Sequence, residues 1–279
     1  MDNRNFLNIE IPKRKTIQIG ETEIAYLDIG KGTPVLALPC WPSPSLVYLP
    51  LFFALNQSFR LISIDFPGWI GKSNDPQNRT GVSFYSQLTR LFIEKLGLSN
   101  FVLTGYSYGG LVAQSVAQLC KNEITKLVLF SSPITLEQIE RIHRFQFLFL
   151  QWLQVLHVPK QLTHAMFEGM FWLGVFQRKN RLKLFDSVLL KTILQEAKHA
   201  DVTQFFSSVS TSFNFVFPKM SQISIPTVSI FAEEEPLYVR DAQEIFQKHG
   251  IETIRLPATD HSHLVFDVKK SASIFSRYI

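Results

Sequence analysis

The sequence predicts an α/β fold with a mostly parallel central sheet and a helical lobe inserted before the last two strands. Three features of the chain predict it. Short, uniformly apolar runs recur along the sequence, as strands buried on both faces require. Segments with apolar residues at helical spacing lie between those runs. The alternation then stops across 135–217, where helical patterns continue without a buried-strand pattern. A length of 279 residues suits one large domain carrying such an insertion, with a core at 1–134 and 218–279 and a helical cap at 135–217.

The elements follow in order. Thr16–Ile19 and Glu23–Leu27 alternate apolar and polar residues around Gly20-Glu21-Thr22, which reads as a hairpin. Pro34–Leu38, Leu61–Asp65, Phe101–Thr104 and Lys126–Phe130 are buried-strand runs, and Thr227–Phe231 and Thr253–Leu256 complete the set. With the hairpin they make a sheet of about eight strands. Ser83–Leu96 places Phe84, Leu88, Leu91, Phe92 and Leu96 near helical spacing. Gly109–Leu119 is small and apolar, fit for a helix lying under a sheet, and Asp241–His249 is a shorter amphipathic helix. The block 135–217 holds twelve of the 25 phenylalanines, so it is more than surface decoration and some of them are expected to line an apolar pocket.

Composition excludes several classes. Hydrophobic residues make up 46% and charged residues 18%, which rules out global disorder and fibrous repeats. The net charge of +5 is not gathered into a phosphate-reading face. Its densest run, Arg178, Lys179, Arg181 and Lys183, borders an apolar segment, so no nucleic-acid partner is expected. Two cysteines, Cys40 and Cys120, exclude a disulfide scaffold, and no His/Cys/Asp cluster has metal-ligand spacing. The first residues lack the apolar stretch of a secretory signal, so a cytoplasmic location is expected. Phe145, Phe149, Trp152, Leu153 and Leu156, near Arg141 and Arg144, form a stripe suited to cap packing or to weak contact with a membrane surface.

One motif carries chemistry. Gly105-Tyr106-Ser107-Tyr108-Gly109 follows a strand and precedes a helix, the setting of a nucleophile elbow. There a serine occupies a strained turn, small neighbours let the backbone pass closely, and the hydroxyl projects at a helix N-terminus that favours negative charge. A serine hydroxyl needs a base, an acid that orients the base, and donors for an oxyanion.

With that motif the chain resembles the α/β-hydrolase fold family, from about residue 15 to the C-terminus. Pro34–Pro42 resembles the strand ending in His-Gly-x-Pro. Asp65–Ser73 resembles the Asp-x-Pro-Gly-x-Gly-x-Ser loop with one extra residue, Ile70. Pro226–Pro236 resembles the strand before the acid, and Leu256–His261 the strand and loop before the base. The resemblance implies Ser107 as nucleophile, His261 as base and Glu235 as acid, in the family's chain order. It leaves His263 as competitor for the base, and Glu233 and Glu234 as competitors for the acid. The backbone N–H groups of Trp41 and Tyr108 would form the oxyanion hole. No cofactor and no metal are implied.

The chain departs from the pattern at four places. Pro39-Cys40 replaces His-Gly, Ile70 lengthens a loop, and Ala232 and Asp260 each replace a glycine. Cys40 reads better as a small buried hydrophobe than as a reactive thiol. The expected activity is hydrolysis, through an acyl-enzyme, of carboxylic esters bearing a small-to-medium lipophilic group. The same fold also carries carbon–carbon, lactone and thioester hydrolysis and acyl transfer, and the altered oxyanion loop leaves a ligand-binding pseudo-enzyme open.

Overall fold

The computed structural model describes residues 8–135, 187–198, 200, 202–212, 215 and 223–279. Eight strands form one sheet in the order β1-β2-β4-β3-β5-β6-β7-β8. β1 (Lys15–Ile19) and β2 (Thr22–Ile29) make the expected hairpin, and β2 pairs antiparallel with β4 (Arg60–Ile64). β3 (Pro34–Leu38), β5 (Phe101–Tyr106), β6 (Ile124–Phe130), β7 (Thr227–Glu234) and β8 (Glu252–Asp260) extend the sheet in parallel. β8 runs on through Pro257, which it tolerates because it is the edge strand and Pro257 has no second ladder to supply.

Alternation along each strand sorts the apolar side chains onto two faces. Leu36, Leu38, Ile62, Ile64, Leu103 and Leu127 share one core with α2 (Val82–Leu96) and α3 (Tyr108–Leu119). Val35, Ala37, Leu61, Val102, Val128 and Ile230 share the other with α1 (Leu49–Ala54) and the C-terminal helix Val268–Phe275. Both α1 and the C-terminal helix lie in stretches that the strand–helix alternation does not announce. The helix Leu237–Lys248 starts four residues before the sequence pattern suggests, directly after Pro236, and Val239 and Phe246 are buried on its inner side.

Two helices, Val188–Ala197 and Val202–Ser210, lie between β6 and β7, within the block read as a cap. The rest of that block, with most of its phenylalanines and the aromatic stripe at 145–156, lies outside the described residues. Among the described residues no helix is long and apolar enough to cross a membrane.

The chain's outward turn after β4 and its return to the other side of β3 make a switch point between β3 and β5, where open α/β sheets bind ligands beyond the strand ends. A buried ion pair braces the neighbouring strand end. Asp65, just after β4, accepts from the backbone N–H of Ser45 at 2.7 Å and of Lys72 at 2.9 Å, and Arg14 Nε lies 3.2 Å from its second oxygen. Burial raises the Asp65 carboxyl above the usual range, against the pull of Arg14 and the two N–H donors. Arg14 also forms a two-pronged pair with Glu196 at 2.7 and 2.9 Å, so it joins the N-terminal segment, the β4 loop and the helix Val188–Ala197. Removing one partner of a buried pair strands the other charge. Arg14→Ala is therefore expected to cost about 3 kcal/mol, read as a lowered urea midpoint. A loss within the range of an ordinary surface substitution would show that this pair braces nothing.

Candidate active site

The loop after β5 builds the centre of the site. Ser107 has φ 52 and ψ −118, a conformation that side chains rarely adopt, and α3 begins at the next residue. Two backbone bonds hold it there. Ser107 N–H donates to the Phe130 carbonyl at 2.8 Å, and Gly110 N–H donates to the Ser107 carbonyl at 2.8 Å. The flanking glycines supply room rather than unusual dihedrals. A Cβ on Gly105 would lie 2.4 Å from the Gly109 carbonyl oxygen, and one on Gly109 would lie 2.3 Å from the carbonyls of both Leu38 and Pro39. Backbone cannot yield at such distances, so the strand–turn–helix closes only with glycine at both positions.

The structure brings Ser107, His261 and Glu235 together from the ends of β5, β8 and β7. His261 Nε2 lies 3.0 Å from Ser107 Oγ, and its Nδ1 lies 2.6 Å from Glu235 Oε2. With Glu235 ionised, Nδ1 carries the ring proton and the Nε2 lone pair faces the serine hydroxyl. Tyr106 anchors the histidine loop by donating its hydroxyl to the His261 carbonyl. Glu235 is 5% exposed, and its other oxygen accepts from Ala232 N–H at 2.7 Å and from the Ser131 hydroxyl.

The competing residues go elsewhere. Glu233 turns to β8, where its carboxylate accepts from Ala258 N–H at 2.6 Å. Glu234 is exposed at the end of β7. His263 is fully buried, with Nε2 2.9 Å from Ser131 Oγ and Nδ1 2.8 Å from Ser271 Oγ. Burial lowers its imidazole to about 4, with Glu235 and Asp260 opposing and His261 reinforcing the shift. Asp260, which stands where the pattern has glycine, caps its own turn by accepting from Ser262 N–H at 2.8 Å.

Trp41 and Tyr108 are both held through their side chains to the segment that closes the inserted block. Trp41 Nε1 donates to Ser208 Oγ at 2.8 Å, and the Tyr108 hydroxyl donates to the Ser208 carbonyl at 2.9 Å and lies 2.5 Å from Ser212 Oγ. Ser212 Oγ also accepts from Val82 N–H at 2.9 Å, at the start of α2. Sequence reasoning offers no signal for the contacts of Ser208 and Ser212 to Trp41, Tyr108 and Val82, because these partners lie a hundred residues or more away. The Cys40 thiol donates to Ser43 Oγ at 3.2 Å and burial raises it to about 11, so it stays a thiol. Ile70, the extra residue, is buried and donates its N–H to the Pro42 carbonyl at 3.0 Å, which ties the lengthened loop to the Trp41 turn. Among the described residues no three His, Cys, Asp or Glu side chains gather where they would hold a metal ion. A cleft of about 350 Å³ between the β1–β2 hairpin and α2, lined by Thr22, Arg79, Phe84, Leu88 and Leu91, includes none of the candidate residues.

Comparison with known proteins identifies the family. A family model described as alpha/beta hydrolase fold matches residues 33–268, and the chain belongs to that family. Haloalkane dehalogenase 2 of Mycobacterium tuberculosis is 28% identical over 107 residues, which cover 38% of this chain and 37% of that protein. The chain thus matches little more than a third of the length of that curated relative. An epoxide hydrolase structure from Bacillus megaterium superposes with a TM-score of 0.76 at 16% identity, covering 94% of this chain and 99% of that one. The enol-lactonase of Burkholderia xenovorans LB400 superposes at 0.73 with 17% identity, covering 94% and 98%. At such identities these structures share the fold alone.

His263 gives the site a pH signature in stability. Its folded value of about 4 lies below the ordinary 6.5, so the unfolded chain binds the extra proton first. The stabilisation from a neutral, buried His263 is complete above 6.5 and is lost as pH falls toward 4, over a full span on the order of 3 kcal/mol. Urea unfolding at pH 7 and pH 5 is expected to show that decline, and His263→Gln is expected to flatten it. A variant that keeps the same slope as the wild type would assign the decline to other groups.

Proposed function

We propose that this chain is a serine hydrolase that works without a cofactor, through an acyl-enzyme, on carboxylic esters bearing a small-to-medium lipophilic group. The observation that carries the proposal is the hydrogen-bonded line from Ser107 through His261 to Glu235 at the ends of β5, β8 and β7. In this reading Ser107 Oγ attacks the ester carbonyl carbon while its proton passes to His261 Nε2. The resulting imidazolium is held by Glu235. The carbonyl oxygen becomes an oxyanion and is met by the backbone N–H groups of Trp41 and Tyr108, at the N-terminus of α3. Collapse breaks the carbon–oxygen bond to the alcohol, which leaves with the proton from His261. Water then attacks the acyl carbon and gives a proton to His261. The acid departs as the proton returns to Ser107.

The residue at the elbow separates this chemistry from that named for two of its similar proteins. An aspartate nucleophile displaces halide or opens an epoxide by forming an alkyl ester, which water can cleave. A serine oxygen attacking the same alkyl carbon would give an ether, which has no carbonyl for water to attack. Ser107 therefore suits acyl substrates and not alkyl halides or epoxides. The phenylalanine-rich insertion supports a lipophilic acyl or alcohol part.

Active-serine titration tests the proposal. The wild type is expected to label with a fluorophosphonate and to hydrolyse p-nitrophenyl esters with an optimum at medium chain length. Ser107→Ala is expected to lose both, with turnover falling by at least about 10⁴-fold. The kcat/KM profile should rise along a limb of histidine character. A wild type that binds ligands yet neither labels nor turns over would identify a pseudo-enzyme instead.

The serine contacts to Trp41 and Tyr108 give a second test. Ser208→Ala removes the acceptor of the Trp41 indole and frees the turn that carries a proposed oxyanion donor. It is expected to lower kcat about tenfold with little change in KM, a fraction of what deleting a donor outright costs. An unchanged kcat would remove Trp41 from the oxyanion hole.

A further inference from the structure

The hydrogen bonds around Glu235 do not stop at His261. We propose that Ser131 and His263 are positioning residues of the acid arm: His263 aims the Ser131 hydroxyl at Glu235, and that hydroxyl holds the carboxylate in line with His261. The proposal rests on the serine-hydrolase reading above, since it assigns roles through Glu235.

Proton bookkeeping fixes the direction of the whole chain. Glu235 is an acceptor at both oxygens, so the Ser131 hydroxyl must donate to Oε1. Ser131 Oγ then has only lone pairs left for His263, whose Nε2 lies 2.9 Å away and must carry its proton. Neutral His263 in that tautomer has a bare Nδ1, which accepts from the Ser271 hydroxyl at 2.8 Å. The order runs Ser271 to His263 to Ser131 to Glu235, and from the other side Ser107 to His261 to Glu235. Five side chains thus converge on the Glu235 carboxylate in one ordered network.

The surroundings keep that order in place. His263 is fully buried beneath the rings of Tyr106 and Phe130, with centroids at 6.0 and 5.9 Å. The charged or titratable groups that face it are Glu235, His261 and Asp260, and Arg240 binds the Glu235 carbonyl from the next helix at 2.8 Å. Burial holds His263 neutral, so it donates one fixed proton and adds no competing charge beside His261. Ser131 itself sits at φ 46 at the end of β6, and its N–H donates to the Ile230 carbonyl at 2.8 Å. A serine in a left-handed position at a strand end, with its hydroxyl on the acid, is placed by the backbone as much as by its own rotamer.

The proposal predicts a sign. The Ser131 hydroxyl draws charge from Glu235. Without it the carboxylate pulls harder on the His261 proton, imidazolium is favoured, and the acid limb of the rate profile moves up. In the full chain, Ser131→Ala is expected to lower kcat about tenfold at unchanged KM, by analogy with other outer-layer partners, and to raise the acid limb of kcat/KM by about half a pH unit. His263→Leu should shift the limb the same way, and His263→Gln, which keeps an N–H donor, should stay within about threefold of wild type. Because His263 acts through Ser131, the double variant Ser131→Ala/His263→Leu should cost no more than about the Ser131→Ala change alone.

A second readout is independent of turnover and serves where a His263 variant fails to fold. The far-downfield proton resonance of the His261–Glu235 bond should move in Ser131→Ala. A lowered plateau with the limb and the resonance both in place would show that Ser131 only fills space, and would overturn the proposal. Additive losses in the double variant would overturn the His263 part. A wild type that shows this resonance yet never labels with fluorophosphonate would overturn the serine-hydrolase reading, and the roles assigned here with it.

Discussion

The site depends on one strained residue. Ser107 is held at φ 52 and ψ −118, a conformation costing on the order of 1–3 kcal/mol that persists only where the surroundings leave no alternative. Here they leave none. Its N–H is claimed by β6, its carbonyl by the first turn of α3, and α3 lies so close to the end of β3 that a methyl group at Gly109 would strike two carbonyls. The sheet therefore does more than support the elbow. Close packing of α3 on β3 and β5 forces the turn, and the turn puts the hydroxyl at the helix N-terminus, the one end where a developing negative charge is favoured.

From that fixed point the site spreads over further strand ends, and a buried polar group braces the turns beside it. Asp65 does this for β4: its two oxygens accept from the loops at Ser45 and Lys72, and Arg14 offsets its charge. Ile70 ties the longer loop to Pro42. These contacts bear on the departures from the family pattern. Pro39-Cys40 removes the flexible glycine before Trp41, but Asp65, Ile70 and Ser208 grip the flanking turn from three sides. A turn held this firmly does not need the glycine to define its path.

How much of this the sequence could show follows from the range of the interactions. Strands and most helices were legible because side-chain periodicity is local, and the six apolar runs lie within the observed strands to within a residue. The elbow was legible because its glycines answer to steric demands inside five residues. The choice between His261 and His263 was not, since neighbours in a loop differ only in which way they point, and that is set by Tyr106, Ser131 and Ser271 from three distant segments. Glu235 is set apart from Glu233 and Glu234 in the same way: the Ala258 N–H occupies Glu233, and Glu235 alone of the three is buried. Ser208, Ser212, Arg14 and Ser131 gave no sequence signal at all. A serine or arginine is ordinary in any loop, and only a partner brought in by the fold gives it a task.

The two sides of the site are therefore held by different parts of the chain. The acid side closes within the core: Glu235, Ser131, His263 and Ser271 all come from the β6–β8 half of the sheet and the helix that follows it. The other side is held from the inserted block, through Ser208 and the neighbouring Ser212. Contacts from the sheet and its last helices thus hold the His261–Glu235 pair, whereas the turn proposed to meet an oxyanion is held by residues 208–212. On the proposed mechanism, a change at Ser208 or Ser212 would therefore act on the stabilisation of charge through three hydrogen bonds to Trp41 and Tyr108, and not through contact with the reacting atoms.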